Sequence, residues 1–360
     1  MRLSKLMGPG KLIVHAVNVH QGGGKSLLWS IIRAMAGSNL AVYLLDSRMT
    51  LPEDVPERGA IKWVQPSIFQ RMSAEGWLAR NATPEDTVLC FGNLPPLFKL
   101  RARTLVFVHN RYLIDDVGLD GFPIWVRLRL SIERLWLSLM MAHVDDFVVQ
   151  TPTMKRLVTR KSGGRIPVRV LPFMAEPNGY ARSAVKPLSP SDKEHDFVYV
   201  ATGEPHKNHR CLLEAWCLLA EDGLFPSLCL TLDATRFASL CDDIETLRQY
   251  HRIKVTNFGE LTHMDVLALF RKANAAIYPS TFESFGLPLL EARQAGLPVL
   301  ASEMDYVRDV LDPEQTFDPD SALSIARAVK RFMGNEEPAL PLLDAKGFLE
   351  RLSEQCEWEF

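Results

Sequence analysis

Two glutamates with seven residues between them mark the part of the sequence best equipped for chemistry. Glu283 stands in a loop after an apolar run, and Glu291 stands in the first turns of the helix predicted to follow. A carboxylate accepts paired hydrogen bonds from vicinal hydroxyls, so the two could mark separate points along one elongated ligand. They could equally be acidic residues that favour the positive end of the helix dipole, and the residues alone leave both interpretations open.

The start of that helix is itself predicted to attract an anion. Pro288 suits the first turn, where its missing N–H is not needed, and Gly296 suits the position that ends the helix. Free backbone N–H groups are therefore expected near Phe285, Gly286 and Leu287. Together with the helix dipole, these groups favour a ligand such as a diphosphate.

Both halves of the chain alternate apolar strands with helical patterns, which predicts parallel sheets covered by helices on both faces. In the first half, strands are predicted at 11–19, 41–46, 87–91, 104–109 and 146–150, with a turn at 22–24 and a helix at 26–37. In the second half, strands are predicted at 197–201, 228–232, 253–258, 275–278 and 298–302. The helices predicted there are 208–220, 237–250, 262–272, 287–295, 321–333 and a final one at 342–360.

The length of 360 residues exceeds what one hydrophobic core usually supports, so two domains are expected. They are predicted at 1–172 and 196–340, joined by a linker at 173–195 that is rich in proline, serine and charge. The last segment, 341–360, is predicted to be a helix that could return to the first domain. Two doubly wound α/β domains joined in this way would face each other across a cleft, and each sheet could supply one ligand site.

The composition excludes several classes of protein. The chain is 47% hydrophobic with a net charge of −2, so it is neither disordered nor basic enough for a dedicated nucleic-acid binder. No metal site is predicted, because the six cysteines show no zinc spacing and His206 and His209 have no evident third ligand. No apolar run of about 18 residues is present, and no secretory leader is recognised, which together predict a cytoplasmic protein.

The segment PSTFESFGLPLLEARQAGLPVLAS, residues 279–302, closely resembles the signature of the retaining glycosyltransferases of family 4, also called group 1. Residues 204–216 resemble the Pro-x-Lys-Asn loop and helix of that family, and residues 316–329 resemble the last helix of its nucleotide domain. The resemblance covers nearly all of 196–333 and is weaker in the first half. It implies the GT-B fold, in which two Rossmann-like domains face a central cleft.

The resemblance also implies an activity. Members of this family transfer a sugar from a nucleoside diphosphate sugar, here a UDP- or GDP-sugar, with retention at the anomeric carbon. A glycan or lipid-linked acceptor is implied, in the synthesis of a bacterial surface polysaccharide such as lipopolysaccharide, O-antigen or capsule. The family commonly needs no cofactor and no essential metal, so none is expected.

Residue roles follow from the matching positions. Glu291 is implied to hold the ribose of the nucleotide. Glu283 is implied to contact hydroxyls of the donor sugar, with help from the backbone amides of Phe285, Gly286 and Leu287.

Lys207 is implied to neutralise the diphosphate leaving group, which would otherwise build charge at a steep cost in the transition state. Family members often carry an arginine five residues earlier, and this chain has Thr202 there. The diphosphate is therefore expected to meet one cation, unless His206 or Arg210 supplies the second.

The first half contributes fewer implied site residues. Gly23 and Gly24 follow the first strand and would let the backbone approach the diphosphate from the other side of the cleft. His109, at a strand end, is implied to lie near the reacting sugar. The basic, Trp-bearing helical pattern at 123–143 is either a peripheral contact with the inner membrane or an interior helix with snorkelling arginines.

Two alternatives remain at the level of sequence. The string Gly22–Ser26 is similar to a phosphate-binding P-loop, although Val19 stands where that motif needs a glycine, so an ATP-dependent phosphotransferase is one alternative. The other is a catalytically degenerate domain of the same family that binds a nucleotide sugar without turnover. Thr202 is the feature that favours the second.

Overall fold

The computed structural model describes residues 10–35, 40–51, 60–119, 121–174 and 193–335, and every structural statement refers to these. The predicted helix end at Gly37, most of the predicted linker and the predicted final helix lie outside the described residues. The domain boundaries therefore stay predictions.

The first sheet has seven strands, and neighbouring strands pair in parallel in the order β3-β2-β1-β4-β5-β6-β7. Its strands are β1 Leu12–Ala16, β2 Ala41–Asp46, β3 Ala60–Val64, β4 Thr87–Cys90, β5 Arg103–Phe107, β6 Asp146–Val149 and β7 Val168–Val170. The order reverses between β1 and β4. A crevice for ligands is therefore expected beyond the carboxyl ends of these two strands.

The second sheet has six strands that pair in parallel in the order β10-β9-β8-β11-β12-β13. Its strands are β8 His195–Tyr199, β9 Leu228–Leu230, β10 Val255–Asn257, β11 Ala273–Tyr278, β12 Val299–Ser302 and β13 Gln315–Phe317. The order reverses between β8 and β11. The loops after these two strands carry Lys207 and Glu283, so the topology places both at one crevice.

Helices connect the strands of both sheets. They are α1 Gly22–Ala34, α2 Ile68–Asn81, α3 Ile124–Leu139, α4 Pro152–Ser162, α5 His209–Glu221, α6 Ala238–His251, α7 His263–Lys272, α8 Leu287–Gln294, α9 Asp305–Arg308 and α10 Ala322–Phe332. None of these described helices is long and apolar enough to cross a lipid bilayer.

Burial of apolar side chains explains why these segments fold as they do. All five residues of β1 are buried, as expected of a central strand covered on both faces. In α10, the buried side chains include Ile325, Ala326 and Val329, which share one helical face. Each half of the chain therefore packs helices against its own sheet.

The strands and helices predicted between residues 197 and 333 are confirmed, with ends that differ by at most two residues. The predicted turn at Gly22–Gly24 is wrong, because α1 already begins at Gly22. The prediction also missed β3, α2, α4, β7, α9 and β13. In β3 only Val64 is buried, so this strand lacks the apolar run that identifies its neighbours.

Candidate active site

The loop between β11 and α8 presents the start of α8 to the crevice. Gly286 precedes the helix with φ +77°, and a Cβ there would lie 2.9 Å from Leu289 Cδ1, so glycine is needed at this position. Pro288 occupies the first turn, as predicted, and no described side chain caps the helix N-terminus. The first amides of α8 are therefore available to an anion.

An ion pair joins the loops after β8 and β11. The Nζ atom of Lys207 lies 2.5 Å from Glu283 Oε1, and the two side chains are 14% and 13% exposed. The hydroxyl of Tyr278 donates to the same carboxylate oxygen at 3.1 Å. Burial alone would raise the pKa of Glu283, but the Lys207 ammonium outweighs it and holds that pKa below its usual value. Glu283 is thus an ionised acceptor.

Asn208 fixes the backbone beside Lys207. It adopts the left-handed conformation with φ +61° and lies between a 3₁₀ turn at Pro205–Lys207 and the start of α5. Its Nδ2 donates to the carbonyl oxygens of Pro279 at 3.2 Å and Pro319 at 2.7 Å. This one amide group therefore connects the loops that follow β8, β11 and β13.

His109 lies at the end of β5 in the first half, and Asn93 holds it. Asn93 Oδ1 accepts from the backbone N–H groups of His109 at 2.7 Å and Asn110 at 2.9 Å, so its Nδ2 is the atom 3.2 Å from His109 Nε2. Nε2 must then accept, which puts the proton of the neutral ring on Nδ1. Burial lowers the pKa of His109 to about 4, and Nδ1 has no hydrogen-bond partner among the described residues. His109 therefore offers one unused donor.

The loop with Glu283 also contacts the first half directly. Ser284 Oγ donates to the carbonyl oxygen of His109 at 2.7 Å. The guanidinium of Arg111 lies 4.3 Å from the centre of the Phe282 ring, and its Nη1 donates to the carbonyl oxygen of Glu283 at 3.5 Å. Sequence reasoning missed Arg111, although it follows His109 by only two residues. The candidate site thus lies where the two halves touch.

The glycines predicted to approach a diphosphate lie at the same contact. A Cβ on Gly23 would lie 3.0 Å from Leu287 Cδ1, and one on Gly24 would lie 3.0 Å from His109 Nε2. No described side chain caps the start of α1. The N-termini of α1 and α8 therefore converge from opposite halves, and both favour negative charge.

Thr202, where the resemblance led us to expect an arginine, bonds to its own loop. Its hydroxyl donates to Glu204, and Arg236 Nη2 lies 2.7 Å from the same carboxylate. Arg210 is paired with Asp243 at 2.8 Å on the surface of α5 and α6. Arg236 is therefore the cation that the structure places beside Thr202. Sequence analysis missed it because it lies 34 positions after Thr202 in the chain, as the two residue numbers show.

His206 lies at the contact between the halves. Its ring centre is 5.5 Å from that of Tyr112 and 6.5 Å from that of Phe122. Burial, assisted by the Lys207 charge, lowers the pKa of His206. Its carbonyl oxygen accepts from Thr281 N at 2.9 Å. His206 is therefore neutral and packs between the two halves. Its predicted contact with the donor sugar nucleotide stays a prediction.

Glu291 lies further along α8. Its Oε1 is 3.8 Å from His263 Nδ1, and its side chain is largely buried. Burial raises the pKa of Glu291, and His263 opposes that rise only in part. The two glutamates of the motif therefore have different environments. This is consistent with the two different ligand groups, sugar and ribose, that the resemblance implies for them.

A cavity of about 410 Å³ opens beside the Lys207 loop. The starts of α5 and α6 border it, and its lining includes Glu204, Asn208, His209 and Arg236. Both ring nitrogens of His209 are buried without a partner in the described part of the chain. The cavity provides room for part of a nucleotide next to the ion pair.

Two further sequence features can now be placed. Lys25, of the P-loop-like string, lies with its Nζ 4.5 Å from the centre of the Trp29 ring on the same helix. Across the described residues, no group of three or more histidine, cysteine or carboxylate side chains is arranged to hold a metal ion.

The chain is similar to known proteins both in sequence and in fold. Residues 182–342 match the family model of the glycosyl transferases group 1. Glycogen synthase of Mycobacterium tuberculosis is 32% identical over 120 residues, which are 32% of this chain and 28% of the synthase. The O-antigen chain mannosyltransferase RfbU of Salmonella typhimurium is 28% identical over 145 residues, covering 40% of each chain. The matches thus span less than half the length of these curated relatives.

A solved structure extends the likeness to both halves. HepE of Anabaena, in complex with UDP, superposes with a TM-score of 0.66 over 90% of each chain at 15% identity. An identity this low establishes the fold alone. Residues 182–342 are therefore similar to the group 1 glycosyltransferases, and the chain that carries them has the GT-B fold.

Proposed function

We propose that this protein is a retaining glycosyltransferase that moves a sugar from a nucleoside diphosphate sugar to a glycan or lipid-linked acceptor. The observation that carries the proposal is the largely buried Lys207–Glu283 pair beside the uncapped start of α8, at the contact between the two halves. A cation, free amides and an ionised acceptor then meet at one crevice. This combination suits a diphosphate joined to a polyhydroxylated sugar.

In the proposed reaction, the bond from the anomeric carbon to the diphosphate breaks and a bond to the acceptor oxygen forms. The proton of the acceptor hydroxyl passes to the leaving diphosphate oxygen, and the nucleoside diphosphate leaves. Lys207 and the first amides of α8 stabilise the charge that builds on the leaving oxygen. Glu283 accepts hydrogen bonds from sugar hydroxyls, while His109 borders the reacting sugar from the other half.

The nucleotide is proposed to extend from the start of α8 towards Glu291. Its carboxylate would accept the two ribose hydroxyls, whichever base follows. UDP is bound in the HepE structure, and the related O-antigen proteins are named mannosyltransferases, so UDP- and GDP-sugars are the first donors to test. Synthesis of a surface polysaccharide on the cytoplasmic side of the membrane belongs to this proposal.

The test is a turnover assay with purified full-length chain. UDP- and GDP-sugars are offered with polyprenyl-diphosphate glycans, and released nucleoside diphosphate is measured with and without EDTA. We expect release from one donor, and the product anomer, assigned by NMR, should match the donor anomer. An inverted product would refute retention, and turnover of ATP with Mg²⁺ alone would refute glycosyl transfer.

A matched pair of variants tests the nucleotide contact. Glu291→Gln should raise the dissociation constant of the nucleoside diphosphate at least ~10-fold, since hydrogen bonds to charged groups contribute about 1.5–3 kcal/mol. Glu245→Gln changes an exposed glutamate on α6 and should leave binding unchanged. Equal affinities of the two variants would remove Glu291 from the donor site.

A further inference from the structure

An exposed apolar face runs along the whole of α3. Six large side chains of this helix are between 52% and 76% exposed: Ile124, Trp125, Leu128, Ile132, Leu135 and Leu139. At 3.6 residues per turn, they fall within about 100° of the helix circumference. Leu130 and Leu137, on the other side, are buried in the first half. We call the six exposed side chains the α3 stripe.

The neighbouring helix α2 extends this surface. Ile68 and Phe69 are 81% and 88% exposed, and Met72 is 45% exposed. The guanidinium of Arg71, next to Met72, lies 4.6 Å from the centre of the Trp136 ring, next to Leu135. The two helices therefore lie against each other at this point, and both carry exposed apolar side chains. A cluster of large exposed apolar side chains on a protein is typical of an interaction site.

The charges around the surface are basic. Arg127 and Arg129 lie on the two edges of the α3 stripe, as the helical repeat requires. The only carboxylates on these helices are Glu75, which is buried, and Glu133, whose Oε1 is 4.0 Å from Arg129. Arginines beside a tryptophan-bearing apolar face complement an anionic lipid surface. The chain as a whole carries a net charge of −2, so this character is local.

The α3 stripe begins next to the candidate site. The segment before α3 contacts the second half: the ring centres of Tyr112 and Phe282 are 4.4 Å apart, and a Cβ on Gly121 would lie 3.3 Å from Pro205. Arg134 of α3 holds that segment, with its Nε donating to the carbonyl oxygen of Tyr112 at 2.7 Å. The first turn of α3 follows Gly121 directly, so the apolar surface starts near the crevice and extends away from it.

We propose that α3, with the start of α2, lies in the surface of an anionic bilayer and holds the crevice beside membrane-borne acceptors. The docking of the two helices stands on the exposed surface alone. That the membrane carries the acceptor of the reaction, as a lipid-linked molecule, rests on the proposed glycosyl transfer. The exposed face rules out a fully interior helix for α3, and the membrane-facing alternative for the 123–143 segment is part of this proposal.

The test measures how full-length protein floats with vesicles of phosphatidylcholine, with or without phosphatidylglycerol. The Leu128→Gln/Leu135→Gln double variant should lose at least ~10-fold in apparent affinity for anionic vesicles, since each fully buried leucine contributes about 1.5–3 kcal/mol. Its unfolding midpoint should stay at the wild-type value or rise, because both side chains are exposed. Tyr250→Gln, at an 83% exposed aromatic of the second half, is the matched control and should bind as wild type.

Three results would overturn the docking: wild-type protein that does not bind anionic vesicles, a double variant that binds equally well, or a wild-type dimer that the double variant abolishes. The last would assign the surface to a second copy of the chain. A second assay separates this proposal from the proposed function. Transfer to a water-soluble glycan should be equal in wild type and double variant, whereas transfer to an acceptor embedded in anionic vesicles should fall at least ~10-fold in the variant. If no donor is turned over but vesicle binding falls as expected, the docking stands and glycosyl transfer fails.

Discussion

The hydroxyl of Ser284 in the second half donates a 2.7 Å hydrogen bond to the carbonyl oxygen of His109 in the first. Ser284 follows Glu283, whose carboxylate is paired with Lys207. The position of the acidic side chain is therefore tied to a strand end of the other sheet. The loop between β11 and α8 serves both as part of the candidate site and as the contact between the halves.

Replacing Ser284 with alanine should loosen this connection. The carbonyl of His109 would lose a partner, and we expect the free energy of unfolding to fall by about 1 kcal/mol, the usual net contribution of one hydrogen bond. The value of kcat/KM should fall several-fold, because the positions of Glu283 and His109 relative to each other would no longer be fixed by this bond. Ser138→Ala is the control, since that hydroxyl bonds only within α3 in the described structure. Equal rates for the two variants would show that the Ser284 bond is incidental.

Replacing Lys207 with alanine should lower kcat by about 10²–10³-fold, the cost of losing one group that stabilises developing negative charge. The affinity for the nucleoside diphosphate should change less. Lys272→Ala removes a cation of the second half that is paired with Glu194 on the surface, and it should leave kcat unchanged. Steady-state rates and calorimetric titration with the nucleotide separate the two effects. A Lys207→Ala protein with wild-type kcat would refute the role given to this lysine.

The two glutamates should affect stability with opposite dependence on pH. The folded-state pKa of Glu283 is lowered, so its contribution is present above the ordinary value of about 4.3 and is lost as the pH falls through the folded value. The folded-state pKa of Glu291 is raised, so its ionisation costs stability above that raised value, and the cost disappears in acid.

Urea unfolding from neutral pH into acid well below the ordinary glutamate value of about 4.3 measures both effects. The stability difference between wild type and Glu283→Gln should shrink towards the acid end. Glu291→Gln should be at least as stable as wild type at neutral pH, and that advantage should also shrink in acid. Two parallel pH profiles would contradict the opposite shifts of these carboxyls.

Adding a methyl group at Gly24 should disturb His109 without unfolding the protein. The new Cβ would lie 3.0 Å from His109 Nε2, so the ring must move by a few tenths of an ångström away from its bond with Asn93. We expect the transfer rate to fall while the unfolding midpoint changes little. Gly76→Ala is the control, because its Cβ would meet only the flexible end of Arg80 at 3.1 Å, and alanine favours the helix. A fully active Gly24→Ala enzyme would show that the ring position is not critical.

The elements of the second half were predictable because their residues carry strong local signals. Gly286 adopts the left-handed conformation expected of a glycine before a helix, and Pro288 occupies the first turn. Lys207 and Glu283 both follow central strands, so parallel topology brings their loops together. The loops that carry Lys207 and Glu283 could therefore be placed together from the sequence, because local chemistry and strand order agreed there.

The contacts between residues far apart in the sequence were not predictable. Arg236 reaches Glu204 from another loop, and Arg111 reaches Phe282 across 171 positions of the chain, as the two residue numbers show. Such pairs depend on tertiary placement, for which one sequence holds no periodicity or spacing signal. The edge strand β3 was missed for the related reason that a half-exposed strand carries little apolar pattern.

Two asparagines with positive φ, Asn93 at +69° and Asn208 at +61°, stand one on each side of the crevice. Each uses its amide nitrogen to connect loops: Asn93 to His109, and Asn208 to the carbonyls after β11 and β13. An aspartate would match either side chain in size and could adopt the same backbone, yet it has no N–H to donate. An aspartate at 93 would keep the two backbone hydrogen bonds that Oδ1 accepts, whereas both connections made by the Asn208 side chain depend on a single nitrogen atom. A one-atom exchange to oxygen would therefore replace attraction with repulsion at Asn208.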